Sequence, residues 1–386
     1  MKFSMYWHNG RSLGHTAETA KIAKYFTTQY SDLSLSGLSG AFKGLDLLPS
    51  SMDMVKLPAF TNYDSPKGWG TSGRQGLPSE ALFACRAEMA EVFIRHYTPD
   101  YFFVNHLPFG AENELIPALN TMRSGVKVLT LRGVLFDREK TNRLYFTGEP
   151  ARWIEQNYDY ICVHIDPAIF SLEDYYDIPS QLLDRIHYTG YLIDDYTVTP
   201  GQAREQLGLH PDEKIIVASM GGGQGAYRIW ENMVKSLLKN KEHFDQAYIV
   251  TGPYLEKDDA IRLKKWAAEL PWLHVLEYVP NMMAWMAASN LFIGAAGSNM
   301  LGEILATKCN AIVIPRQVRE VEQKIHSALL KERGFVRVCD LEGVYDGKLD
   351  QQIYDGLQEP IAFRQSIQMN GTSAYSDILN LNKILV

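Results

Sequence analysis

The feature that most constrains this chain is a regular alternation of short apolar runs with segments of helical periodicity. The apolar runs, bounded by turn residues, are residues 2–7, 101–104, 126–131, 160–164, 214–219, 246–251, 274–276, 291–293 and 311–314. The helical segments between them are residues 16–29, 79–96, 226–239, 258–270 and 300–307. Short apolar runs of this kind are typical of buried strands. Strand and helix alternating at this spacing predict an α/β fold with parallel sheets and crossover helices.

The alternation stops near residues 194–200 and resumes at Lys214, which predicts two doubly wound domains joined by a short linker. A length of 386 residues agrees with two domains. In doubly wound sheets, ligands bind outside the carboxyl ends of the strands. Functional residues are therefore expected in the loops that lead from a strand into a helix.

Composition excludes several classes of function. The net charge is −7, which argues against a nucleic-acid partner. The longest apolar stretch, residues 282–297, is interrupted by polar residues and falls short of the roughly 20 residues that a membrane span needs. The N-terminus does not resemble a secretory signal, so we expect a cytoplasmic protein, and peripheral contact with a membrane is left open. The four cysteines contain no CxxC pair and are expected to be reduced thiols rather than zinc ligands.

The first strand-to-helix loop, residues 8–16, has the sequence HNGRSLGHT. Its glycines allow a sharp turn, and the N–H groups at a helix start favour negative charge. His15 has a side chain suited to proton transfer near neutral pH. The alternative is a helix-capping loop whose histidine only forms hydrogen bonds at the surface.

The second loop, residues 220–226, has the sequence MGGGQGA between a strand and a helix. Glycines here let a phosphate approach the backbone N–H groups, and the helix dipole adds partial positive charge. Neither the P-loop Lys-Ser/Thr nor the GxGxxG spacing is present, which argues against nucleoside triphosphate hydrolysis and hydride transfer. A glycine-rich turn that serves only tight packing is the alternative.

The third loop, residues 294–299, is built from small residues and opens a helix that carries Glu303. Such a helix start offers a second phosphate contact, and a carboxylate one turn later can accept both hydroxyls of a ribose. A solvated helical glutamate is the alternative for Glu303.

A polar loop follows the next strand. Arg316 and Arg319 could neutralise phosphate, and Glu322 with Gln323 could hydrogen-bond sugar hydroxyls. Taken alone, this loop is only a weak indication, because charged loops are usually solvated.

In this order, the loops resemble those of the two-domain nucleotide-sugar glycosyltransferases of the GT-B fold. The resemblance is to family 28, which contains the N-acetylglucosaminyltransferase that completes the lipid-linked peptidoglycan precursor. Gly14-His15 is similar to that family's Gly-His loop, and residues 222–226 are similar to its Gly-Gly-Ser-Gln-Gly-Ala loop, with Gly223 in place of serine. A group of predicted glycosyltransferases is closer still. It shares the segments His106-Leu107-Pro108-Phe109-Gly110, Leu131-Arg132-Gly133-Val134-Leu135, His164-Ile165-Asp166-Pro167 and Tyr188-Thr189-Gly190-Tyr191.

The resemblance implies two Rossmann-like domains facing across a cleft. Residues 1–196 would bind the acceptor, residues 197–365 would bind the nucleotide sugar, and residues 366–386 would pack back on the first domain. His15 would be the catalytic base, with His106 as the alternative. The other implied contacts are Gly222, Gly223, Gln224, Gly225, Ala226, Gly297 and Ser298, with the cations Arg228 and Arg316, for the diphosphate; Glu303 for the ribose; Glu322 and Gln323 for the donor sugar; and Gly14, Glu18 and Asp194 on the acceptor side.

Two positions depart from the family pattern. Glu18 stands where the similar group has basic residues, and Asp194 stands where the peptidoglycan enzyme has an arginine. Both changes favour a small soluble acceptor with a hydroxyl or amine over a polyprenyl diphosphate, because carboxylates attract cations and repel anions. The alternative is that both carboxylates are solvated and play no part.

The resemblance implies an inverting hexosyltransferase that moves N-acetylglucosamine or another hexose from a UDP-linked donor. No divalent-metal Asp-x-Asp motif stands in a suitable loop, so we expect neither a metal nor any cofactor beyond the nucleotide sugar. The alternatives are a nucleotide-sugar hydrolase, a 2-epimerase and a non-catalytic subunit that binds sugar nucleotides. Residues 57–78 are either an acceptor lid or an ordinary long loop, and the oligomeric state is left open.

Overall fold

A computed structural model describes residues 1–8, 14–65, 68–73, 76–193, 196–316, 321–363 and 366–381. The chain forms two compact units: Met1–Leu192 together with Asn370–Val386, and Ile193–Met369. The boundaries expected after residues 196 and 365 differ from these by four residues. Each unit contains a parallel sheet with helices, so the predicted α/β class is confirmed.

Strands and helices alternate along much of the chain, although some strands and some helices follow one another directly. Up to residue 192 they are β1 (Lys2–Tyr6), α1 (Gly14–Gln29), β2 (Ser34–Ser39), β3 (Met52–Lys56), β4 (Phe60–Ser65), β5 (Gly68–Gly73), α2 (Ser79–Tyr97), β6 (Tyr101–Asn105), α3 (Ile116–Thr121), β7 (Val126–Arg132), α4 (Arg138–Thr141), α5 (Gly148–Asn157), β8 (Tyr160–His164), α6 (Leu172–Tyr175), α7 (Ser180–Leu183) and β9 (Ile186–Tyr188). After it they are α8 (Pro200–Leu207), β10 (Ile215–Ser219), α9 (Tyr227–Lys239), β11 (Gln246–Val250), α10 (Lys257–Ala268), β12 (Leu273–Leu276), α11 (Met282–Ala288), β13 (Leu291–Ala295), α12 (Ser298–Thr307), β14 (Ala311–Ile314), α13 (Glu322–Glu332), β15 (Arg337–Val338), α14 (Leu341–Asp346), α15 (Lys348–Gln358) and α16 (Ala374–Ile378).

The N-terminal unit has a seven-stranded parallel sheet in the order β3-β2-β1-β6-β7-β8-β9. The strand order reverses between β1 and β6, and the loops after these two strands therefore diverge and open a crevice at that edge. Aromatic residues fill the core on one face: the rings of Phe3 and Phe26 lie 4.9 Å apart in an edge-to-face arrangement. Tyr375 of α16 joins this core, with its ring 6.0 Å from those of Phe26 and Phe103.

The C-terminal unit has a six-stranded parallel sheet in the order β12-β11-β10-β13-β14-β15. Here the order reverses between β10 and β13, so this unit repeats the plan of the first. Helix α9 covers the sheet with Trp230, Met233, Val234 and Leu237, all buried. Spacings of three and four residues place these side chains on one helix face, and their burial is the main stabilisation of that helix.

Each strand predicted from an apolar run is present, with shifts of at most two residues at its ends. Strands β2, β3, β9 and β15 were not predicted. In β2, three of six residues are serine, yet all but the first are buried. Their hydroxyls are satisfied inside the sheet: Ser36 Oγ donates to Ser4 Oγ at 3.0 Å, and Ser39 Oγ donates to the Trp7 carbonyl at 2.9 Å. Because the sequence of β2 is polar, the search for apolar runs did not indicate this buried strand.

Residues 57–78, expected to be either an acceptor lid or an ordinary long loop, contain the antiparallel hairpin of β4 and β5. Its strands mix Thr, Tyr, Asn and Gly and contain no apolar run, which is why periodicity did not indicate them. The four cysteines are free thiols, as predicted. Within the described ranges, no helix combines the length and the apolar character that crossing a membrane requires.

Candidate functional site

Three histidines meet where the strand order of the N-terminal sheet reverses. His8 follows β1, His15 lies in the first turn of α1, and His106 follows β6. The ring of His15 lies 5.8 Å from that of His8 and 5.3 Å from that of His106. We call these three residues the histidine cluster. Sequence reasoning named His15 and His106 as alternatives, and the structure brings them together.

His106 has a backbone conformation that is unusual for a side-chain-bearing residue, with φ of 67°. Its amide donates to the Thr130 carbonyl at 2.8 Å, and its carbonyl accepts from the Tyr145 hydroxyl at 3.0 Å. These bonds hold a strained geometry, which proteins retain mainly at functional sites. The imidazole is buried, and its Nδ1 has no hydrogen-bond partner among the described residues.

His15 is held by a chain of hydrogen bonds that reaches the end of the neighbouring strand β7. Its Nδ1 lies 2.5 Å from Asn105 Oδ1, and Asn105 Nδ2 donates to Glu18 Oε2 at 3.2 Å. Glu18 Oε1 accepts from Arg132 Nε at 2.8 Å in an ion pair that is mostly buried. His15 and Glu18 lie three residues apart on α1, so one helix face presents both to the strand ends.

The histidine cluster favours neutral imidazoles. Burial lowers the pKa of His15 well below its ordinary value, and the nearby Arg132 and His8 lower it further. Burial also lowers the pKa of His8 to about 4. A neutral imidazole has a nitrogen lone pair, which a general base needs.

Glu18 was expected on the acceptor side as an attractor of cations, and in the structure it forms a mostly buried ion pair with Arg132. Burial alone would raise the pKa of its carboxyl, but Arg132, His164 and the Asn105 amide hold it below the ordinary value. The carboxylate is therefore charged, and Arg132 neutralises that charge locally. Gly14, also expected on the acceptor side, is the first residue of α1, while Asp194 lies outside the described residues.

The glycine-rich loop after β10 lies at the switch point of the second sheet. Gly223 has φ of 84°, and a Cβ there would lie 2.0 Å from the Thr251 carbonyl oxygen. This contact explains why the chain has glycine at this position. Ala226, the residue before α9, has no polar side chain to cap the helix, so the first-turn N–H groups of α9 can bind an anion.

Arg316 connects this loop to the end of β14. Its guanidinium donates to the carbonyls of Met220, at 2.7 Å, and of Gln224. Its backbone amide donates to Gln323 Oε1 at 2.8 Å. Arg316 was expected to neutralise the diphosphate directly, but two of its donors hold the glycine-rich loop in place.

The loop after β13 joins the same edge. Gly297 precedes α12, and the Ser298 hydroxyl donates to Glu322 Oε1 at 2.7 Å. Together with Arg316, this bond links the loops that follow β10, β13 and β14, which are adjacent strands. The residues expected to bind the diphosphate and the donor sugar are thus connected at one sheet edge. We call this edge the donor edge.

Two residues that were predicted to bind the nucleotide sugar lie on helices that begin at this edge. Glu303 lies partly exposed on α12. Arg228 lies in the first turn of α9, with its guanidinium 4.2 Å from the centre of the Tyr345 ring. That stacking occupies one face of the guanidinium. Among the residues that the structure describes, no three His, Cys, Asp or Glu side chains are grouped to hold a metal ion.

Sequence reasoning gave no role to Asn105, Arg132 or His164. The structure joins the first two to His15, and His164 Nε2 lies 2.7 Å from the Tyr375 hydroxyl. One indication was available: Arg132 and His164 belong to the segments shared with the similar glycosyltransferases. In the structure, each of them is the last residue of its strand.

Comparison with known proteins agrees with this arrangement. Residues 216–380 match the model of the Glycosyltransferase family 28 C-terminal domain. One relative is the UDP-N-acetylglucosamine--N-acetylmuramyl-(pentapeptide) pyrophosphoryl-undecaprenol N-acetylglucosamine transferase of Caldanaerobacter subterraneus subsp. tengcongensis, 31% identical over 41% of this chain and 44% of the relative. The protein of the same name from Acetivibrio thermocellus is 24% identical over 86% of this chain and 83% of the relative.

These alignments differ in their reach. The chain spans less than half the length of the first three curated relatives that it matches, at 44%, 38% and 46%. The sequence similarity is therefore concentrated in one part of the relatives, and what their names state is said of them alone.

Solved structures resemble the whole chain. MurG from Acinetobacter baumannii is 14% identical, with coverage of 100% of this chain and 99% of that chain and a TM-score of 0.59. The UDP-GlcNAc 2-epimerase from Methanocaldococcus jannaschii is 10% identical, with coverage of 99% and 100% and a TM-score of 0.60. At such identities the likeness concerns the fold, and it confirms the predicted GT-B architecture. Residues 216–380 thus match the glycosyltransferase family 28 C-terminal domain, and the whole chain has the GT-B fold.

Proposed function

We propose that this protein is a glycosyltransferase that moves N-acetylglucosamine from a UDP-linked donor to a hydroxyl group of a small acceptor. One observation supports the proposal: glycine-rich loops and uncapped helix starts in the unit that matches family 28 occur in the same chain as a histidine that Asn105 orients. Glycosyl transfer needs both, because a diphosphate leaves while the acceptor loses a proton.

The donor edge would bind the nucleotide sugar in the C-terminal unit. The amides that begin α9 and α12 would stabilise the negative charge on the leaving diphosphate. Arg316 adds a positive charge beside the glycine-rich loop. Glu303 would accept the ribose hydroxyls, while Glu322 and Gln323 would lie toward the donor sugar.

In the N-terminal unit, His15 would remove the proton from the acceptor hydroxyl as that oxygen attacks the anomeric carbon. Direct attack from the side opposite the diphosphate inverts that carbon. A hydroxyl acceptor fits this site better than an amine, because Arg132 neutralises the Glu18 carboxylate that would attract a cation. The names of the relatives specify a lipid-linked pyrophosphate acceptor, which makes that acceptor the main rival.

Product analysis tests the proposal. The purified protein is incubated with UDP-N-acetylglucosamine and, separately, with soluble alcohols, soluble amines and an undecaprenyl diphosphate-linked sugar, and the products are identified by mass spectrometry. We expect UDP release only with an acceptor, and a glycosylated alcohol as the product. Free N-acetylglucosamine without acceptor would indicate a hydrolase, and the C2 epimer of the donor would indicate an epimerase. Binding without turnover on any acceptor would contradict transfer.

Chelation tests the proposed metal independence. Helix N-termini and an arginine are proposed to stabilise the leaving diphosphate, so the initial rate should persist in EDTA. A complete loss of rate that added Mg²⁺ or Mn²⁺ restores would contradict this part of the proposal while leaving glycosyl transfer intact.

A further inference from the structure

We infer that Glu18 is a positioning residue which, held by Arg132, sets the amide orientation of Asn105 and thereby places the proton of His15 on Nδ1. Only the effect of this tautomer on catalysis rests on the proposed function. The placement of the proton itself follows from the hydrogen-bond chain.

The hydrogen-bond chain begins at the ion pair of Glu18 and Arg132. A carboxylate only accepts hydrogen bonds, and Glu18 uses Oε1 for Arg132 Nε at 2.8 Å. Its other oxygen, Oε2, faces the Asn105 side chain at 3.2 Å. The Asn105 atom at that contact must therefore be a donor, so the amide nitrogen Nδ2 faces Glu18.

The next link follows from the planar amide. Because Nδ2 faces Glu18, Oδ1 faces His15, where it lies 2.5 Å from Nδ1. An amide oxygen only accepts, so Nδ1 of a neutral His15 must carry the hydrogen. The lone pair then lies on Nε2, the ring nitrogen on the opposite side from Asn105.

Glu18 is needed because an asparagine does not determine its own orientation. Rotation of the amide by 180° exchanges its oxygen and nitrogen at almost no steric cost. The nitrogen would then face His15 Nδ1, which would have to accept, and the proton would move to Nε2. A histidine with its proton on Nε2 cannot take a proton there, and the wrong tautomer of a catalytic histidine is costly in other enzymes.

The Glu18→Gln variant tests this logic. The substituted side chain keeps the shape of the glutamate but has one acceptor end and one donor end. Its oxygen would remain with Arg132, so its NH₂ group would face Asn105 and turn the Asn105 oxygen toward itself. We expect the His15 proton to move from Nδ1 to Nε2.

A second change should restore the original tautomer. In the double variant Glu18→Gln/Asn105→Asp, the NH₂ group of the introduced glutamine donates to one oxygen of the introduced aspartate, and the other oxygen accepts from His15 Nδ1. Every donor then has an acceptor again, and the new carboxylate has no orientation to lose. Rescue by a second substitution is not expected if Glu18 only contributes stability.

The measurement is the protonation of each His15 ring nitrogen by ¹⁵N-edited NMR at pH 7.5, on the whole protein without substrate. The signals are assigned by their loss in His15→Gln. The matched control is Glu114→Gln, which removes a carboxylate from another buried ion pair, with Arg86 at 2.9 Å. This control should leave the His15 tautomer unchanged.

The expected result is an Nδ1 proton in the wild type, an Nε2 proton in Glu18→Gln, and an Nδ1 proton in the double variant. An Nε2 proton in the wild type, or an unchanged tautomer in Glu18→Gln, would overturn the inference. Turnover, measured separately, should fall about 100-fold in Glu18→Gln with an unchanged KM for the donor, and should recover in the double variant. Absence of turnover in the wild type would contradict the proposed function but not the tautomer assignment.

Discussion

The two units share one topological plan but place different chemistry at the same position. In both, a parallel sheet reverses its strand order, and the loops on either side of the reversal carry the candidate site. In the N-terminal unit that site consists of buried and half-buried ionisable side chains: the histidine cluster, Glu18 and Arg132. In the C-terminal unit it consists mainly of glycines and helix starts, which present backbone amides.

Proton transfer and diphosphate binding place different requirements on the same scaffold. Proton transfer needs a side chain whose basicity and tautomer are set by neighbours, so it needs a paired network. Binding a diphosphate needs only fixed dipoles, which helix N-termini provide without titration. The N-terminal site should therefore respond to pH and to amide or carboxylate substitutions, whereas the C-terminal site should respond to changes in backbone geometry.

The largest expected contrast is in acid. Burial lowers the pKa of His8 and His164 in the N-terminal unit, and of His326 in the C-terminal unit, each to about 4. In the unfolded chain these histidines have the ordinary pKa of about 6.5, so below that pH the unfolded chain binds protons that the folded chain does not. The free energy of unfolding is therefore undiminished above pH 6.5 and falls toward pH 4, by about 3 kcal/mol for His164 alone.

Because the pKa values of His15 and His106 are lowered too, the N-terminal unit should lose more stability in acid than the C-terminal unit. Urea unfolding at pH 7.5, 5.5 and 4.5, with amide exchange assigning the transition to each unit, measures this. His164→Gln should flatten the pH dependence of the N-terminal transition, and His326→Gln that of the C-terminal one. Equal acid sensitivity of both units would contradict the expectation that the N-terminal unit is the more sensitive one.

Next in size is the effect of His15→Ala. Turnover should fall by about 100-fold or more, because a positioned general base is lost, while donor affinity stays nearly unchanged. In the wild type, activity should persist below pH 6.5, because the pKa of His15 is lowered and its neutral form survives there. Steady-state rates and donor calorimetry measure both effects, with the exposed His96→Ala as the control. If only His106→Ala abolishes turnover, the base is His106.

A smaller effect, on nucleotide binding rather than on turnover, is expected for Glu303→Ala. Loss of the carboxylate should weaken UDP binding by about 1–3 kcal/mol, since the ribose hydroxyls lose their acceptor. Calorimetry with UDP measures this loss, and Glu332→Ala, an exposed glutamate in the same unit, is the control. Unchanged affinity would remove Glu303 from the donor edge.

The smallest effect separates two glycines of one loop. Gly223 and Gly225 both have positive φ, at 84° and 64°, but only a Cβ at 223 meets the backbone, while nothing lies within 4 Å of one at 225. Both alanine variants should be strained, and Gly223→Ala should weaken UDP binding by about 1 kcal/mol more than Gly225→Ala. Equal losses would mean that the close contact between residue 223 and Thr251 has no effect of its own on UDP binding.

The same contrast explains what could be predicted from the sequence. The position of residues 222–226 and 297–298 at one sheet edge was predictable because glycines, small residues and helix starts form a pattern along the chain, whereas their binding of a nucleotide sugar stays a prediction. The hydrogen-bond network of Glu18, Asn105 and Arg132 was not predictable, because these residues come from three elements that only the folded sheet brings together. Strand β2 shows the same limit for the fold, since its buried serines are satisfied only by neighbouring strands.

The return of the chain's end into the N-terminal core has a consequence for how the protein is made. Tyr375, Leu379 and Leu381 are buried among residues of the first strands and helix, and Ser376 bonds the hydroxyls of Tyr25 and Tyr30. During translation, the part synthesised first must therefore wait for residues 193–369 before its last core side chains emerge. At about 5–20 residues per second, that interval is on the order of ten seconds or more. Throughout this interval, Phe26 and Phe103 lack their contact with Tyr375. The incomplete N-terminal unit is therefore exposed to chaperones and proteases until synthesis ends.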